Sequence, residues 1–315
     1  MRELRHGGET AGCREERATE RHMRKKAILA AVCLVLACCA RERPLPSERM
    51  VDIGSHRLQV RCLGSGTPVV VIDAGIGDSL DKLRPLQERL SRLTQVVTYN
   101  RAGYGQSQAG PLPRDCGREA EELKALLEKA PVPGPYVLVG HSLGALNAQM
   151  FAAMYPGDIA ALVLLDPPPL SFILGKDYQD LATMAARMTA EWQSSADSAA
   201  RSEQPEERAR SAFFRMIASE HRELFGASAK LVGGISTFDD QLLLVIGAGK
   251  PNPAFGEEAE EYQKYWIEQS RAVAGRSMEG KFILAEGASH YVYLDAPDLV
   301  VKGITALVLA VREKK

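Results

Sequence analysis

Ser142 lies between two glycines in Gly140-His141-Ser142-Leu143-Gly144, directly behind the apolar run Tyr136-Val137-Leu138-Val139 and directly ahead of the helical-looking stretch Ala145–Met154. A strand, a G-x-S-x-G turn and a helix in that order reverse the chain sharply. The reversal pushes one hydroxyl out of the sheet and sets a helix N-terminus behind it. Five residues alone carry little weight, and the flanking strand and helix supply the rest. Serine is a poor nucleophile until a base removes its proton and a third group orients that base, so both partners must be found elsewhere in the chain.

Of six histidines, His6 and His22 belong to the N-terminal leader, His56 to an opening hairpin at the wrong end of a sheet, and His221 to a polar insertion. His141 adjoins Ser142, but neighbours across a tight turn point in different directions. His290 remains, in the loop Ala285–Tyr291 that follows the apolar run Phe282–Leu284, where a base is needed. The acid is less directly read. The run Leu242–Ile246 is followed by Gly247–Pro253 without a carboxylate, and the next acids are Glu257 and Glu258. Asp166 ends the run Leu162–Leu165, on the edge where Ser142 emerges. It is the favoured acid, with Glu257, Glu258 or Asp295 as alternatives. Asp166-Pro-Pro-Pro could instead be a plain strand-to-helix turn whose carboxylate bonds its own backbone.

The elements that must position these groups alternate between short β-branched runs and helical patterns, which predicts an α/β fold with a mostly parallel sheet covered on both faces. Strands are expected at Arg49–Asp52, Leu58–Leu63, Val69–Ile72, Val96–Tyr99, Tyr136–Val139, Leu162–Leu165, Leu242–Ile246 and Phe282–Leu284. Helices are expected at Leu80–Leu93, Glu119–Ala130, Leu143–Met154 and Pro297–Arg312. The polar, alanine-rich segment of about residues 170–238 interrupts this alternation, with helical stretches near Tyr178–Trp192 and Glu206–Phe225. An insertion of that size would cover the carboxyl edge of the sheet as a helical cap. Phe172, Tyr178, Trp192, Phe213 and Phe214 would pack its helices or line a pocket beneath it.

Net charge is −1 over 315 residues, and no basic block lies outside the leader, so nothing points to nucleic acid or an anionic surface. Residues 1–22 read as a leader or an upstream extension. Arg24-Lys25-Lys26, the apolar Ala27–Ala37 and Cys38-Cys39-Ala40 read as an export signal, too short for a membrane span. Residues 41–48 form a linker and 49–315 the folded domain. Val35-Leu36-Ala37-Cys38 resembles a bacterial lipoprotein signal, so an exported protein is expected, either anchored by lipid at Cys38 or freely secreted. Within the fold, Cys62 and Cys116 could be bridged or both reduced. No His/Cys cluster suggests a metal, and no cofactor is expected.

Taken together, Asp73–Gly77, Asn100–Ser107, Gly134–Gly144, Leu162–Pro167 and Ser289–Pro297 resemble the α/β-hydrolase superfamily from about Met50 onward, most of all its exported, capped serine hydrolases of the esterase and aminopeptidase-like kind. The resemblance implies an eight-stranded sheet, a cap after the sixth strand, the order Ser–acid–His and an oxyanion hole of two backbone N–H groups. By position these are Leu143 and Ile76. The physical demand is independent of it: a tetrahedral oxyanion needs preorganised donors. Asn100 departs from the aspartate relatives carry there, which puts an ion pair with Arg101 in doubt. The implied substrate is a small or medium-sized apolar ester, with an amide possible. A non-catalytic ligand-binding member of the fold, or a cofactor-free peroxidase-like or C–C-cleaving relative, are the alternatives.

Overall fold

The computed structural model describes residues 47–170 and 179–314. The leader, the export segment and Cys38 lie outside them, as do Phe172 and Tyr178. Eight strands form one sheet: β1 Ser47–Asp52, β2 Arg57–Leu63, β3 Val69–Asp73, β4 Val96–Tyr99, β5 Tyr136–His141, β6 Ile159–Leu165, β7 Leu242–Ala248 and β8 Gly280–Ala285. Their spatial order is β1-β2-β4-β3-β5-β6-β7-β8. β1/β2 and β2/β4 pair antiparallel, and every pair from β4/β3 to β7/β8 is parallel.

The parallel strands are nearly continuous runs of Val, Leu and Ile because both faces of the sheet are covered. Side chains alternate between two cores. Val69, Val71, Leu138, Leu162 and Leu164 pack with Leu123 and Leu126 of α2 (Cys116–Lys129) and Phe151 of α3 (Leu143–Met154). Val70, Ile72, Val137, Val139 and Val163 face the other side. There they meet Leu86 and Leu90 of α1 (Arg84–Leu90) and Val300, Ile304 and Val308 of the C-terminal helix Pro297–Glu313. Each such side chain contributes about 1.5–3 kcal/mol of burial, so a one-residue slip of β3 or β5 would exchange the two sets and is strongly disfavoured.

α1 is shorter than the predicted Leu80–Leu93. Pro85 sits at its first positions, and the Leu80 N–H is drawn instead to the Asn100 side chain (2.8 Å). α2 begins where Asp115 accepts the N–H groups of Gly117 and Arg118 (2.9 and 3.1 Å), a side-chain N-cap. Between β6 and β7 the described part of the insertion is helical: α4 Gln179–Arg201, α5 Pro205–Glu223, a kinked turn at Leu224–Ser228 and α6 Ala229–Gly233. Trp192, Phe213 and Phe214 pack against one another, with Trp192 and Phe214 stacked at 6.0 Å and Phe213 and Phe214 tilted at 5.6 Å. The sequence reading missed α7 (Ala259–Ala274), between β7 and β8, and the short α8 (Val292–Asp295); the C-terminal helix is α9. Cys62 and Cys116 form no disulfide. Cys116 is buried and its thiol is pushed up to about 12 by that burial, so it is inert.

Candidate active site

β5 runs straight into the Ser142 turn. Ser142 adopts φ 53°, ψ −119°, a conformation few residues other than glycine occupy, and its hydroxyl takes no part in capping α3. The strain is held by over-determined surroundings. The Ser142 N–H donates to the Leu165 carbonyl (3.1 Å) at the end of the neighbouring strand. A β-carbon on Gly140 would run into the Gly144 carbonyl, and one on Gly144 would lie 2.5 Å from the Asp73 carbonyl oxygen and 2.6 Å from that of Ala74. The two glycines therefore serve close backbone approach: the start of α3 is pressed onto the loop that follows β3.

Asp166 and His290 are brought together. His290 Nδ1 lies 2.6 Å from Asp166 Oδ2, while Asp166 Oδ1 accepts the Ala248 N–H (2.9 Å). The carboxylate is 3% exposed and bonds a strand 82 residues away, not its own turn. A carboxylate accepting at Nδ1 fixes the proton there and leaves Nε2 as the basic nitrogen. Glu257 and Glu258 sit exposed on the turn Pro253–Glu258, so the His290 partner is Asp166 and not either of them. Asp295 serves the same loop differently, accepting the Ser289 N–H (2.8 Å); the Ser289 hydroxyl first, and then that N–H, hold its carboxyl below the usual range.

His141 has a supporting place that the sequence reading missed. It is 1% exposed, and its Nε2 donates to the His290 carbonyl (2.8 Å), with the two rings 4.8 Å apart. Burial first, and then the nearby His290, push its pKa well down, so it stays neutral and acts as a fixed N–H donor that anchors the backbone of the His290 loop. The only signal in the sequence was its place next to Ser142.

Leu143 is the first residue of α3, where a helix leaves its N–H groups without intrahelical partners. Ile76 lies in the loop Ala74–Gly77 after β3, on the same edge. The whole chain segment 69–302 matches the alpha/beta hydrolase family. The chain belongs to that family. A Bacillus subtilis (strain 168) relative, the uncharacterized protein YqjL, is 28% identical over 238 residues, 75% of this chain and 82% of that one. The 2-(acetamidomethylene)succinate hydrolase of Mesorhizobium japonicum is 34% identical over 122 residues, 39% of this chain and 43% of the relative. A solved E-2-(acetamidomethylene)succinate hydrolase shares the fold at a TM-score of 0.57 and 21% identity, the match covering 84% of this chain and 99% of that one.

In this alpha/beta hydrolase a cavity of about 110 Å³ adjoins the pair, lined by Asp166, Lys250, Asn252, Phe255, Gln263, Trp266 and His290. Three of these come from the loop after β7 and two from α7. Gln263 ties α7 to the strand end by donating to the Ala248 carbonyl (2.8 Å). A larger cavity, about 610 Å³, opens near Ile159, Leu242 and Lys314, at the amino ends of β6 and β7. It lies at the opposite end of the sheet from the Asp166–His290 pair, and ligands in such sheets bind at the carboxyl ends. Among the described residues no cluster of His, Cys, Asp and Glu could hold a metal ion.

Asn100 makes no ion pair with Arg101. Its Oδ1 accepts the Leu80 N–H and its Nδ2 donates to Gln59 Oε1 (2.6 Å), and a carboxylate could not make the second bond. Arg101 turns instead to Asp73 and to Glu220 of α5. His56 and His221 stay apart from the site: His56 lies by Glu122, and His221 Nδ1 bonds the Thr189 hydroxyl.

Proposed function

We propose that this alpha/beta hydrolase is a serine hydrolase that cleaves a small or medium-sized, largely apolar ester through an acyl-enzyme. Ser142 Oγ attacks the carbonyl carbon as His290 Nε2 takes its proton. The tetrahedral oxygen is held by the Leu143 and Ile76 N–H groups. Collapse expels the alcohol, which receives the proton from His290, and water then repeats the sequence to release the acid. Asp166 keeps the Nδ1 proton in place and stabilises the imidazolium that forms. The observation that carries this reading is the 2.6 Å bond from His290 to a buried Asp166, at the sheet edge where Ser142 sits in a strained turn.

The cavity suits the substrate class. Phe255 and Trp266 offer apolar surface, and about 110 Å³ admits a short acyl chain. A short amide is the second reading, favoured by Lys250, Asn252 and Gln263 in the same wall and by a relative named for the hydrolysis of an acetamido compound. Fluorophosphonate labelling followed by peptide mass spectrometry, with steady-state turnover of p-nitrophenyl acetate and butyrate, tests the assignment. The adduct is expected on Ser142, with turnover abolished in Ser142→Ala. An unlabelled Ser142, or full turnover in that variant, would overturn it. Labelling without turnover of any ester or amide would favour a ligand-binding role.

A further inference from the structure

Arg101, 2% exposed, follows β4 and reaches across to the loop after β3. Its Nη1 donates to Asp73 Oδ1 (2.7 Å) and to the Ala74 carbonyl (2.6 Å), and its Nη2 donates to the Gly75 carbonyl (3.0 Å). The other side of the guanidinium meets Glu220 of α5, Nε to Oε1 at 3.0 Å and Nη2 to Oε2 at 3.2 Å. Glu220 is fully buried. Its Oε2 also accepts the Tyr104 hydroxyl (2.5 Å), and the Tyr104 oxygen accepts the Gly77 N–H (3.1 Å). One carboxylate on the inserted helices is thus joined, through two side chains, to the backbone on both sides of Ile76.

The Gly75 carbonyl and the Ile76 N–H belong to a single peptide unit, and that unit is trans, so the two dipoles point in opposite directions. Fixing the carbonyl on Arg101 fixes the direction of the N–H. Donation from a guanidinium also polarises the amide and strengthens the opposite N–H as a donor. Gly77, on the far side, is held by Tyr104, so the Ile76 donor cannot swing without breaking a bond at one end. Arg101 itself is oriented by Asp73 and Glu220. Burial alone would disfavour its charge, and these two acids outweigh that and keep it charged.

We propose that Glu220 is a positioning residue for the oxyanion loop: acting through Arg101 and Tyr104, the inserted helix α5 sets the aim of the Ile76 N–H, so that donor geometry is complete only when that helix is seated. This rests on the serine-hydrolase reading above. Glu220→Gln keeps the volume but replaces an acceptor that Arg101 needs with a competing donor. Tyr104→Phe removes a single oxygen and leaves the ion pairs in place, so it serves if Glu220→Gln does not fold. Glu122→Gln is the control. It removes a buried carboxylate bonded twice to Arg114 (2.6 Å each) in the same charged cluster, without touching the loop.

With p-nitrophenyl butyrate, Glu220→Gln is expected to lower kcat about 10- to 100-fold with KM changed less than about threefold, the signature of a displaced transition-state donor. Tyr104→Phe should lower kcat about fivefold, and the double variant should lose less than the product of the two, because both act through one linkage. Affinity for an alkyl boronic acid, which forms a tetrahedral adduct on the serine, should fall in step with kcat/KM. Glu122→Gln should lose thermal stability and keep kcat. Folded Glu220→Gln and Tyr104→Phe with wild-type kcat and boronate affinity would overturn the inference, as would an equal loss of kcat in Glu122→Gln. Fluorophosphonate labelling of wild-type Ser142 separates the two levels: without it the hydrolase reading fails and takes this inference with it, whereas normal labelling with unchanged kcat removes the inference alone.

Discussion

Gly144→Ala is the perturbation that most directly tests how the oxyanion loop and α3 share space. The added methyl would lie 2.5 Å from the Asp73 carbonyl oxygen and 2.6 Å from that of Ala74, and 2.8 Å from the Asp73 carbonyl carbon. All are backbone atoms and none can rotate away. Ordinary contact for a β-carbon begins near 3.4 Å, so α3 and the loop after β3 must part by about 0.9 Å. The two candidate donors stand on opposite sides of that gap, Leu143 on the helix and Ile76 on the loop. Overpacking of this kind costs about 1–3 kcal/mol of stability. A misplacement near 1 Å costs about 10²-fold in rate, which is within the range for losing one oxyanion donor. The expected result is a folded protein with kcat down about 10²-fold, KM little changed, and the urea midpoint lowered. Gly157→Ala is the control, since a β-carbon there meets nothing within 4 Å. Wild-type kcat in Gly144→Ala, with an unchanged urea midpoint, would refute the reasoning.

Asp166→Asn should lower kcat by several orders of magnitude, about 10⁴ in the serine-protease example of the same exchange, while Glu257→Gln and Glu258→Gln should each stay near wild type; steady-state ester turnover decides. Glu119, fully buried beside Arg114 and close to the acids Glu220 and Glu122, is pushed up to about 8, chiefly by its burial. The folded state therefore holds a proton that the unfolded chain releases near pH 4.5. Stability from this group is complete below about pH 4.5 and is lost progressively as pH rises to about 8, by at most about 5 kcal/mol. Urea midpoints of wild type and Glu119→Gln should diverge across that window, and parallel curves would disprove it. We propose export by way of Arg24–Ala40; the native protein is then expected to begin at a diacylglyceryl-modified Cys38 or just beyond Ala40, and intact-mass analysis that finds an unprocessed chain instead would overturn the proposal.

The strands were legible because both faces of this sheet are buried, and a doubly buried strand writes itself as an apolar run, as in Val69–Ile72 and Leu162–Leu165. The Ser142 turn was legible because close backbone approach admits only glycine at 140 and 144. The pairing of Asp166 with His290 could be reached by exclusion, since the loop after β7 has no acid before Glu257. Helix α7 was not seen: Ala259–Ala274 carries charged and polar residues on most of its surface and buries few side chains, among them Tyr262 and Gln263. Nor could spacing reveal that Arg101 would reach Glu220, 119 residues away. Contacts of that kind are made by topology, which brings the end of β4 under α5, and no local pattern records them. The role of His141 was hidden for a related reason: its partner is a backbone carbonyl, which every residue has.

Because Asp166 draws its anchoring bond from the backbone of β7 and presents its other oxygen to His290, no side chain of the segment Gly249–Glu258 takes part in that pair. Yet Lys250, Asn252 and Phe255 from that segment form nearly half the wall of the cavity. Duties that would collide in one loop, holding a proton relay rigid and shaping a pocket, are divided here between two strands. The division makes the segment a natural seat of divergence. Gly249 and Lys250 are the exception, since their N–H groups bond the Ala285 and Ala288 carbonyls of the His290 loop and a side chain at Gly249 would meet the Glu286 backbone. Exchanges at positions 251 to 258 can reshape what the cavity admits with the Asp166–His290 bond left in place. A randomised library confined to those positions should change the ranking of substrates far more readily than it extinguishes labelling of Ser142.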